Sequence, residues 1–301
     1  MIAAAYLRAQ VSAGEMAYLD VGEGPAVVLL HGYPTSSFLW REVAPVLSAR
    51  MRVIAPDLMG YGMSEKPNDA DLTLRAQAGY VRELLRRIGI ERFAVVGHGF
   101  GGGVAQLLTF QGDVGALGLI DSVAFDAWPS PATVALQQDP PAETTEAAEK
   151  TVMEWLRAAC RKRTFSAADA DGYLEPWRAD PGALARALRG LDGRGLERSA
   201  ELLQELDTPA FVIWGEEDPF LSSDLAERIG ESLPGSMVAL LPGCGHLVSE
   251  DAPGTVAGLV QEFLRRQFMR EGHRNVRTGP VRVYLERPSD PTFLGADAEE
   301  E

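Results

Sequence analysis

The sequence predicts an α/β protein, with a doubly wound, mostly parallel sheet of the eight-stranded type and a helical segment inserted into it. Two observations lead to this prediction. Short apolar runs without alternation, typical of parallel strands covered on both faces, recur along the chain with amphipathic helical stretches between them. One stretch near the middle of the chain breaks that pattern. The 301 residues, 46% of them hydrophobic, are enough to bury the core of such a sheet.

The individual strands and helices are predicted from these apolar patterns in chain order. Strands are predicted at residues 15–21, 26–30, 53–55, 93–96, 118–121, 210–214 and 237–241. Helices are predicted between them at residues 38–48, 72–88, 101–110, 224–232 and 253–270. Because strand–helix–strand units cross over with a right hand, the active groups are expected on loops at the carboxyl ends of the strands.

The stretch that breaks the pattern predicts a division into domains. Residues 1–126 and 201–270 are predicted to form the sheet domain, and residues 127–200 a helical cap with segments at 143–162 and 181–191. Four aromatic side chains of the cap are candidates for lining an apolar substrate pocket: Trp128, Trp155, Tyr173 and Trp177. Each of them could instead pack the cap against the sheet, as large aromatic side chains usually do.

Residues 271–301 are predicted to form a C-terminal extension. Within it, residues 281–285 alternate like one more strand, which can pair with a sheet edge of this chain or of a second copy. A homodimer is therefore one of the predictions. The acidic end of the chain, Glu299–Glu301, reads as a solvated tail.

Charge and composition exclude several classes of partner. The net charge of −15 argues against nucleic acid and against an anionic membrane surface. The two cysteines, Cys160 and Cys244, give neither a disulfide framework nor a metal-ligand spacing, and both are expected to be packing residues. No signal peptide and no membrane-spanning run is recognised. We therefore expect a cytoplasmic protein that needs no metal or organic cofactor.

The run AVVGHGFGGG at residues 94–103 predicts an apolar strand, a sharp turn and the start of a helix. This is the setting of a nucleophile elbow, in which the central residue presents a reactive oxygen above a parallel sheet. The central residue here is Gly99, which has no side chain to present. Glycine tolerates the strained backbone of such a turn at little cost, so the fold can persist without the nucleophile.

Four motifs in a fixed order point to a known family: HGYPTSSFLWR at residues 31–41, DLMGYGMSEKP at 57–67, GHGFGG at 97–102, and WGEEDP at 214–219 paired with GCGH at 243–246. Together they resemble the α/β-hydrolase superfamily, in particular its haloalkane dehalogenase and epoxide hydrolase branch. The resemblance covers about residues 15 to 270. It implies an α/β-hydrolase fold, and an elbow that otherwise looks like G-H-D-x-G-G with an aspartate nucleophile.

The resemblance also implies the roles of particular residues. Asp218 and His246 stand where the family places its acid and its histidine, and an acid on one imidazole nitrogen leaves the other free to take a proton. The backbone N–H groups of Tyr33 and Phe100 would form the oxyanion hole, which needs no side chain at Gly99. The Tyr33 side chain either reaches the site as a donor or packs under the cap.

Other polar residues of the motifs are expected to be structural. His31 and His98 lie where the family's histidines organise turns. Asp121 and Asp126 follow the strand after which some dehalogenases carry their acid, but the presence of Asp218 favours a structural role for both.

Three functions remain open from the sequence. The first is an enzyme without a covalent intermediate, in which the histidine acts as a general base on a small apolar substrate, by non-covalent hydrolysis or by lyase, cyclase or oxygenase chemistry in a biosynthetic pathway. The second is a nucleophile-substituted dehalogenase or epoxide hydrolase. The third is a non-catalytic binder of a ligand or partner.

Residue types at three positions favour the first function. Dehalogenases of this branch usually carry Trp directly after the nucleophile and often Asn in the oxyanion loop, where this chain has Phe100 and Tyr33. Epoxide hydrolases usually supply two cap tyrosines, and residues 127–200 contain only Tyr173. A binder would not need to keep the acid, the histidine and the oxyanion loops, all of which are present here.

Overall fold

A computed structural model describes residues 6–269 and 280–284. Its described residues form one nine-stranded sheet: β1 (Leu7–Val11), β2 (Gly14–Val21), β3 (Ala26–Leu30), β4 (Arg52–Pro56), β5 (Phe93–His98), β6 (Val114–Ile120), β7 (Ala210–Gly215), β8 (Met237–Leu241) and β9 (Val281–Tyr284). The strand order is β1-β2-β4-β3-β5-β6-β7-β8-β9. The β1–β2 and β2–β4 pairs are antiparallel and all the others are parallel, which confirms the predicted mostly parallel sheet.

Helices cover both faces of the sheet. Every residue of β5 and of β7 is buried, and successive residues of a strand point to opposite faces, so neither face is open to water there. The helices of the described residues are α1 (Ala44–Leu47), α2 (Leu74–Arg87), α3 (Phe100–Thr109), α4 (Pro131–Gln138), α5 (Thr145–Ala159), α6 (Ala167–Ala179), α7 (Gly182–Arg189), α8 (Ser199–Glu205), α9 (Asp224–Ser232), α10 (Val248–Asp251) and α11 (Pro253–Met269). None of them is both long and apolar enough to cross a membrane.

The segment between β6 and β7 is helical. It contains α4 to α8, and no strand occurs among its residues, all of which the structure describes. This agrees with the predicted helical insertion, while the domain limits at residues 127 and 200 stay a prediction. The helices α5 and α6 pack against each other, as do α4 and α7.

A buried carboxylate connects this insertion to the sheet domain. Glu250 of α10 is only 1% exposed and accepts hydrogen bonds from Arg41, at 2.9 Å to its Oε2, and from the hydroxyl of Tyr173 in α6. The Arg41 guanidinium also pairs with Asp169 of α6 at 3.0 Å. Because each group has a charged or hydrogen-bonding partner, the cost of burying the charges is offset.

Three differences from the predicted elements have physical reasons. Strand β1 was not predicted, because it is an edge strand whose Arg8 and Gln10 face solvent and hide the apolar pattern. The helix predicted at residues 38–48 is broken into a 3-10 turn, Ser37–Trp40, and the short α1, with the Ser37 N–H held by the Asp57 carboxylate at 2.7 Å. Strand β6 begins at Val114, four residues before the predicted start.

The strand predicted in the C-terminal extension is present as β9, paired in parallel with β8 of the same chain. Of the two pairings that the sequence left open, with this chain or with a second copy, the structure shows the pairing within the chain. Leu285 and the predicted acidic tail lie outside the described residues. The homodimer stays a prediction, because pairing within the chain leaves it untested.

Candidate active site

The turn between β5 and α3 is built around Gly99. Its backbone has φ +54° and ψ −121°, a conformation that L side chains rarely adopt. The Gly99 N–H donates to the carbonyl of Ile120 at 3.1 Å, and its own carbonyl accepts from Val123 at 3.2 Å. These bonds hold the turn above the carboxyl ends of β5 and β6, where an α/β sheet carries its active groups.

The imidazole of His246 faces this turn. A Cβ atom placed on Gly99 would lie 3.4 Å from Nε2 of His246 and 3.8 Å from Cα of Gly32. Both distances are ordinary van der Waals contacts, so a side chain at position 99 would point at the imidazole without a clash. Any group that occupies this position, whether a side chain or part of a ligand, meets Nε2 directly.

Asp218 fixes the orientation of that imidazole. Nδ1 of His246 donates to Oδ2 of Asp218 at 2.7 Å, and the Asp218 side chain has no exposed surface. The other carboxylate oxygen accepts the N–H groups of Phe220 and Leu221 at 2.8 and 3.0 Å. Since a carboxylate only accepts hydrogen bonds, the proton of the neutral ring lies on Nδ1 and Nε2 keeps its lone pair. The pair therefore has the geometry of a general base with its orienting acid.

The other two motif histidines hold loops in place. His98 donates from Nε2 to the backbone carbonyl of His246 at 2.9 Å, and its ring centroid lies 4.7 Å from that of His246. His31 accepts the Leu58 N–H at 2.9 Å through Nε2. Burial lowers the pKa of both imidazoles, that of His98 by a large amount, so both are neutral near pH 7.

Asp121, which follows the strand after which some dehalogenases carry their acid, lies beside the Asp218–His246 pair. Ligand atoms of the three side chains lie within 4.8 Å of one another. Burial first, and then the charge of Asp218, raise the pKa of the Asp121 carboxyl well above its usual value. Its Oδ1 accepts the Gly215 N–H at 2.8 Å. In contrast, Asp126 is 86% exposed and pairs with Arg228 at 3.1 Å.

The same three side chains have the composition of a small cation site. However, Asp218 already accepts three hydrogen bonds, and the nitrogen of His246 that faces Asp218 carries a proton. A cation would have to displace these bonds. The hydrogen bonds of Asp218 and His246 to each other and to the backbone account for the positions of these two side chains without a metal.

Two residues predicted to supply oxyanion-hole N–H groups, Tyr33 and Phe100, belong to loops that lie against each other. A Cβ on Gly32 would lie 3.3 Å from the backbone nitrogen of Phe100, so the loop that carries Tyr33 abuts the start of α3. Within residues 6–269 and 280–284, neither the Tyr33 N–H nor the Phe100 N–H donates to a protein acceptor. The carbonyl of Gly32 is held by the N–H and the hydroxyl of Thr35, at 2.9 and 2.8 Å. Both free N–H groups belong to residues that line one cavity.

This cavity has a volume of about 260 Å³ and lies between the sheet domain and the helical insertion. Its lining consists of Tyr33, Gly99, Phe100, Val123, Trp128, Ser130, Ala132, Thr133, Leu136, Trp155, Leu188, Leu191, Phe220, Leu221 and His246. Apart from the His246 imidazole and the Tyr33 phenol, these lining residues contain no ionisable acid or base. The Trp155 and Phe220 rings stack at 5.2 Å, and both meet the imidazole edge to face.

Polar side chains of the lining are mostly engaged with the protein. The indole N–H of Trp128 donates to the carbonyl of Asp192 at 2.9 Å, and the hydroxyls of Ser130 and Thr133 pair at 3.0 Å. The Tyr33 hydroxyl is buried and has no hydrogen-bond partner among the described residues. The polar groups available to a ligand in this cavity are therefore few, and they include Nε2 of His246.

Two of the four aromatic residues predicted for the pocket lie elsewhere. Trp128 and Trp155 line the cavity, whereas Tyr173 and Trp177 do not. Tyr173 is buried with its hydroxyl on Glu250, and the indole of Trp177 donates to the carbonyl of Pro34 at 3.1 Å. Both side chains join the insertion to the sheet domain, the alternative that the sequence left open.

Phe220 is a lining residue that the sequence reasoning missed. It follows Asp218 by two positions in the acid motif, and its N–H caps the Asp218 carboxylate. This spacing could have predicted the position of Phe220. The loop folds back so that its own N–H groups bind the Asp218 carboxylate, which places the side chains that follow Asp218 near His246. The cysteines are buried as expected, and burial raises the pKa of both thiols.

Comparison with known proteins agrees with the fold and the motifs. Residues 27–259 match the alpha/beta hydrolase family. The chain therefore belongs to the alpha/beta hydrolase family, in its haloalkane dehalogenase and epoxide hydrolase branch.

Relatives and solved structures align over most of the chain. It is 29% identical over 271 residues to haloalkane dehalogenase 2 of Mycobacterium bovis, an alignment that covers 83% of this chain and 92% of that protein. It is 29% identical over 281 residues to the soluble epoxide hydrolase of Corynebacterium sp., covering 85% and 96%. The crystal structure of an alpha/beta hydrolase fold protein from Burkholderia ambifaria superposes with a TM-score of 0.76 at 30% identity, over 86% of this chain and 99% of that one.

Proposed function

We propose that this protein is an enzyme that uses His246, oriented by Asp218, as a general base without forming a covalent intermediate. The observation that carries the proposal is the position of Nε2, which keeps its lone pair and faces a glycine where the family's elbow would carry a nucleophile. Proton transfer by a positioned base of this kind typically accelerates a reaction by about 10²–10⁴-fold, so the missing nucleophile does not preclude catalysis.

The chemistry follows from the polar end of the cavity. Nε2 of His246 removes a proton from the substrate or from a water molecule bound beside Gly99. The N–H groups of Tyr33 and Phe100 donate to the oxygen on which negative charge develops, an enolate, an alkoxide or a tetrahedral oxyanion. The Asp218 carboxylate stabilises the imidazolium that forms and keeps the ring in place.

The lining of the cavity supports a neutral, largely apolar substrate. No lysine, arginine, aspartate or glutamate lines it, so a charged group on the substrate body would be buried without a partner. A single carbonyl or hydroxyl at the polar end suits the two N–H donors. We propose a small organic molecule with an acidic C–H, a hydroxyl or a carbonyl group, and a reaction without metal or organic cofactor.

The named relatives, a haloalkane dehalogenase and a soluble epoxide hydrolase, favour hydrolytic chemistry as the broad class. Phe100 and Tyr33 depart from the residues that the dehalogenases usually carry at these positions. A cytoplasmic location and a homodimer stay predictions.

A second candidate is a hydrolase of this branch whose nucleophile has been substituted. It is favoured by one observation, namely that a Cβ on Gly99 fits at 3.4 Å from Nε2 of His246. A third candidate is a protein that binds a ligand or partner without catalysis. Such a protein needs the cavity, but it does not need an imidazole that Asp218 orients.

A paired variant experiment separates the three. Wild type, His246→Ala and Gly99→Asp are assayed with simple haloalkanes, epoxides and esters. Activity of the wild type that is lost in His246→Ala supports the non-covalent enzyme. Hydrolysis that is gained only in Gly99→Asp supports the substituted hydrolase. Ligand binding without turnover in any variant supports the binder and contradicts our proposal.

A further inference from the structure

The loop that carries His246 is attached to the helical insertion on both sides of the histidine. The Leu247 N–H donates to the carbonyl of Ala159, the last residue of α5, at 3.2 Å. On the other side, a Cβ on Gly245 would lie 2.2 Å from that same carbonyl oxygen, so only glycine permits this approach. The residues that flank the base therefore rest against the end of α5.

One carboxylate joins the same two segments. Oδ1 of Asp251 accepts the backbone N–H groups of Arg161, Lys162 and Arg163 at 3.1, 2.8 and 2.9 Å. Its Oδ2 accepts the Gly245 N–H at 2.8 Å and approaches the Arg161 nitrogen to 2.9 Å. Hydrogen bonds from N–H groups to an ionised carboxylate are about twice as strong as neutral ones. Asp251 therefore binds three consecutive residues after α5 and the residue before His246 at once.

Further contacts run between the same segments. The ammonium of Lys162 donates to the carbonyl of Pro242 at 2.9 Å and lies 3.3 Å from Sγ of Cys244. Trp155 of α5 places its ring 5.7 Å from the imidazole of His246, nearly perpendicular to it. We refer to residues 155–163 as the cap clamp and to residues 242–247 as the histidine loop.

We infer that Asp251 is a positioning residue, which sets the orientation of His246 by fastening the histidine loop to the cap clamp through Gly245. In consequence, the geometry of the base depends on the position of the insertion that closes the cavity. A displacement of α5 that opens the cavity also displaces the imidazole relative to Asp218 and Gly99. The active arrangement then exists only while the cavity is closed.

This inference rests on the role of His246 proposed above, but its test needs no substrate. The proton on Nδ1 of His246, bonded to Asp218 at 2.7 Å, is expected to give a far-downfield proton NMR signal, assigned by its loss in His246→Gln. In Asp251→Asn, the amide can still accept from the N–H groups of residues 161–163 but presents a donor to Gly245. We expect the downfield signal to be lost or broadened in this variant.

Asp169→Asn is the matched control, because Asp169 accepts from Arg41, from the side chain of Arg163 and from the Ser166 N–H, but does not contact the histidine loop. We expect it to keep the wild-type signal. Lys162→Met, which removes the bonds to Pro242 and Cys244 without touching a buried carboxylate, is expected to weaken the signal less than Asp251→Asn does. If Asp251→Asn does not fold, the signal of Lys162→Met alone tests whether the contacts between the cap clamp and the histidine loop orient His246.

The inference is overturned if the signal is unchanged in folded Asp251→Asn and in Lys162→Met, or if Asp169→Asn alters it equally. Absence of the signal from the wild type overturns the acid–base pair itself and the inference with it. The two proposals can also fail separately. If the signal responds to the variants as expected but the protein turns over none of the substrates assayed above, the positioning role of Asp251 is supported and the proposed function is contradicted.

Discussion

Nε2 of His246 lies 3.4 Å from the point where a Cβ on Gly99 would stand. A base in contact with the elbow is the arrangement that covalent hydrolases need, yet the elbow of this chain has no side chain to offer. The imidazole that Asp218 orients and the Cα of Gly32, at 3.8 Å, nevertheless lie next to this point. The predictions below follow from that arrangement and from the contacts that hold the insertion over it.

Gly99→Asp should fold, because the Cβ fits and the backbone already has the conformation of an elbow. The φ of +54° costs a non-glycine residue about 1–3 kcal/mol, which thermal unfolding will detect as a lowered midpoint. In Gly99→Asp combined with His246→Gln, the introduced carboxylate should attack the carbon of a haloalkane, displace the halide and keep the alkyl group as an ester, seen by intact-protein mass spectrometry. Gly99→Ala combined with His246→Gln, which has the same backbone strain, should show no mass increase.

Glu250→Leu should destabilise the protein by about 1–3 kcal/mol, because it leaves the Tyr173 hydroxyl buried without its acceptor and removes one of the carboxylate partners of the Arg41 guanidinium, which keeps Asp169. The free energy of unfolding in urea measures the loss. As a control, Asp171→Asn breaks an exposed pair with Arg178, which should leave stability unchanged. Equal effects of the two substitutions would contradict the role of Glu250 in joining the insertion to the sheet domain.

Asp121→Asn should change how stability depends on pH. The pKa of Asp121 in the folded protein lies well above the value of 3.8 expected for the unfolded chain. Between the two pKa values, the folded state keeps a proton that the unfolded state releases. The contribution of Asp121 to stability is therefore fully present below pH 3.8, the unfolded-state pKa, and it is lost as the pH rises towards the folded-state pKa. Relative to wild type, the unfolding temperature of Asp121→Asn should rise as the pH is raised from about 4 towards the folded-state pKa of the Asp121 carboxyl.

The amide of Asp121→Asn can still accept the Gly215 N–H, so the comparison isolates the charge of the buried carboxyl. Asp126→Asn, at a site that is 86% exposed, should leave the difference from wild type flat over this range. A difference for Asp121→Asn that does not vary with pH would show that the carboxyl is not held neutral.

Leu136→Trp should block the cavity. Leu136 lines it from α4, and the larger side chain would occupy part of the volume of about 260 Å³. Binding of acetophenone, a neutral apolar probe, should weaken at least several-fold in ligand-observed NMR. Val134→Trp on the same helix is the control, since Val134 is 37% exposed and does not belong to the lining. Unaltered binding to Leu136→Trp would place the ligand elsewhere.

The sequence predicted the elements on which the site is built because their patterns are local. The apolar run before Gly99 and the glycines after it define a strand, a turn and a helix start without reference to the rest of the chain. The acid and histidine loops were located through their resemblance to the motifs of the family, at residues 214–219 and 243–246. Strand β1 could not, because the residues of an edge strand that face solvent carry no apolar signal.

Relations between distant segments were beyond the sequence. Asp121 lies beside Asp218 because β6 and β7 are neighbours in the sheet, which no local pattern reveals. Tyr173 and Trp177 are aromatic, as pocket residues often are. Their side chains instead bond to Glu250 and to the carbonyl of Pro34, away from the cavity lining. The contacts of Asp251 with Gly245 join segments whose proximity depends on how the insertion packs.

The central claim, that His246 acts as a general base with the oxyanion donors and without a nucleophile, is tested most directly by hydrogen–deuterium exchange. Phenylacetone, a neutral ketone with acidic C–H groups, is incubated in D₂O with wild type and with His246→Gln, and loss of the proton signals is followed by NMR. We expect the wild type to accelerate exchange by about 10²–10⁴-fold over the variant. Exchange no faster with wild type than with His246→Gln would contradict the account.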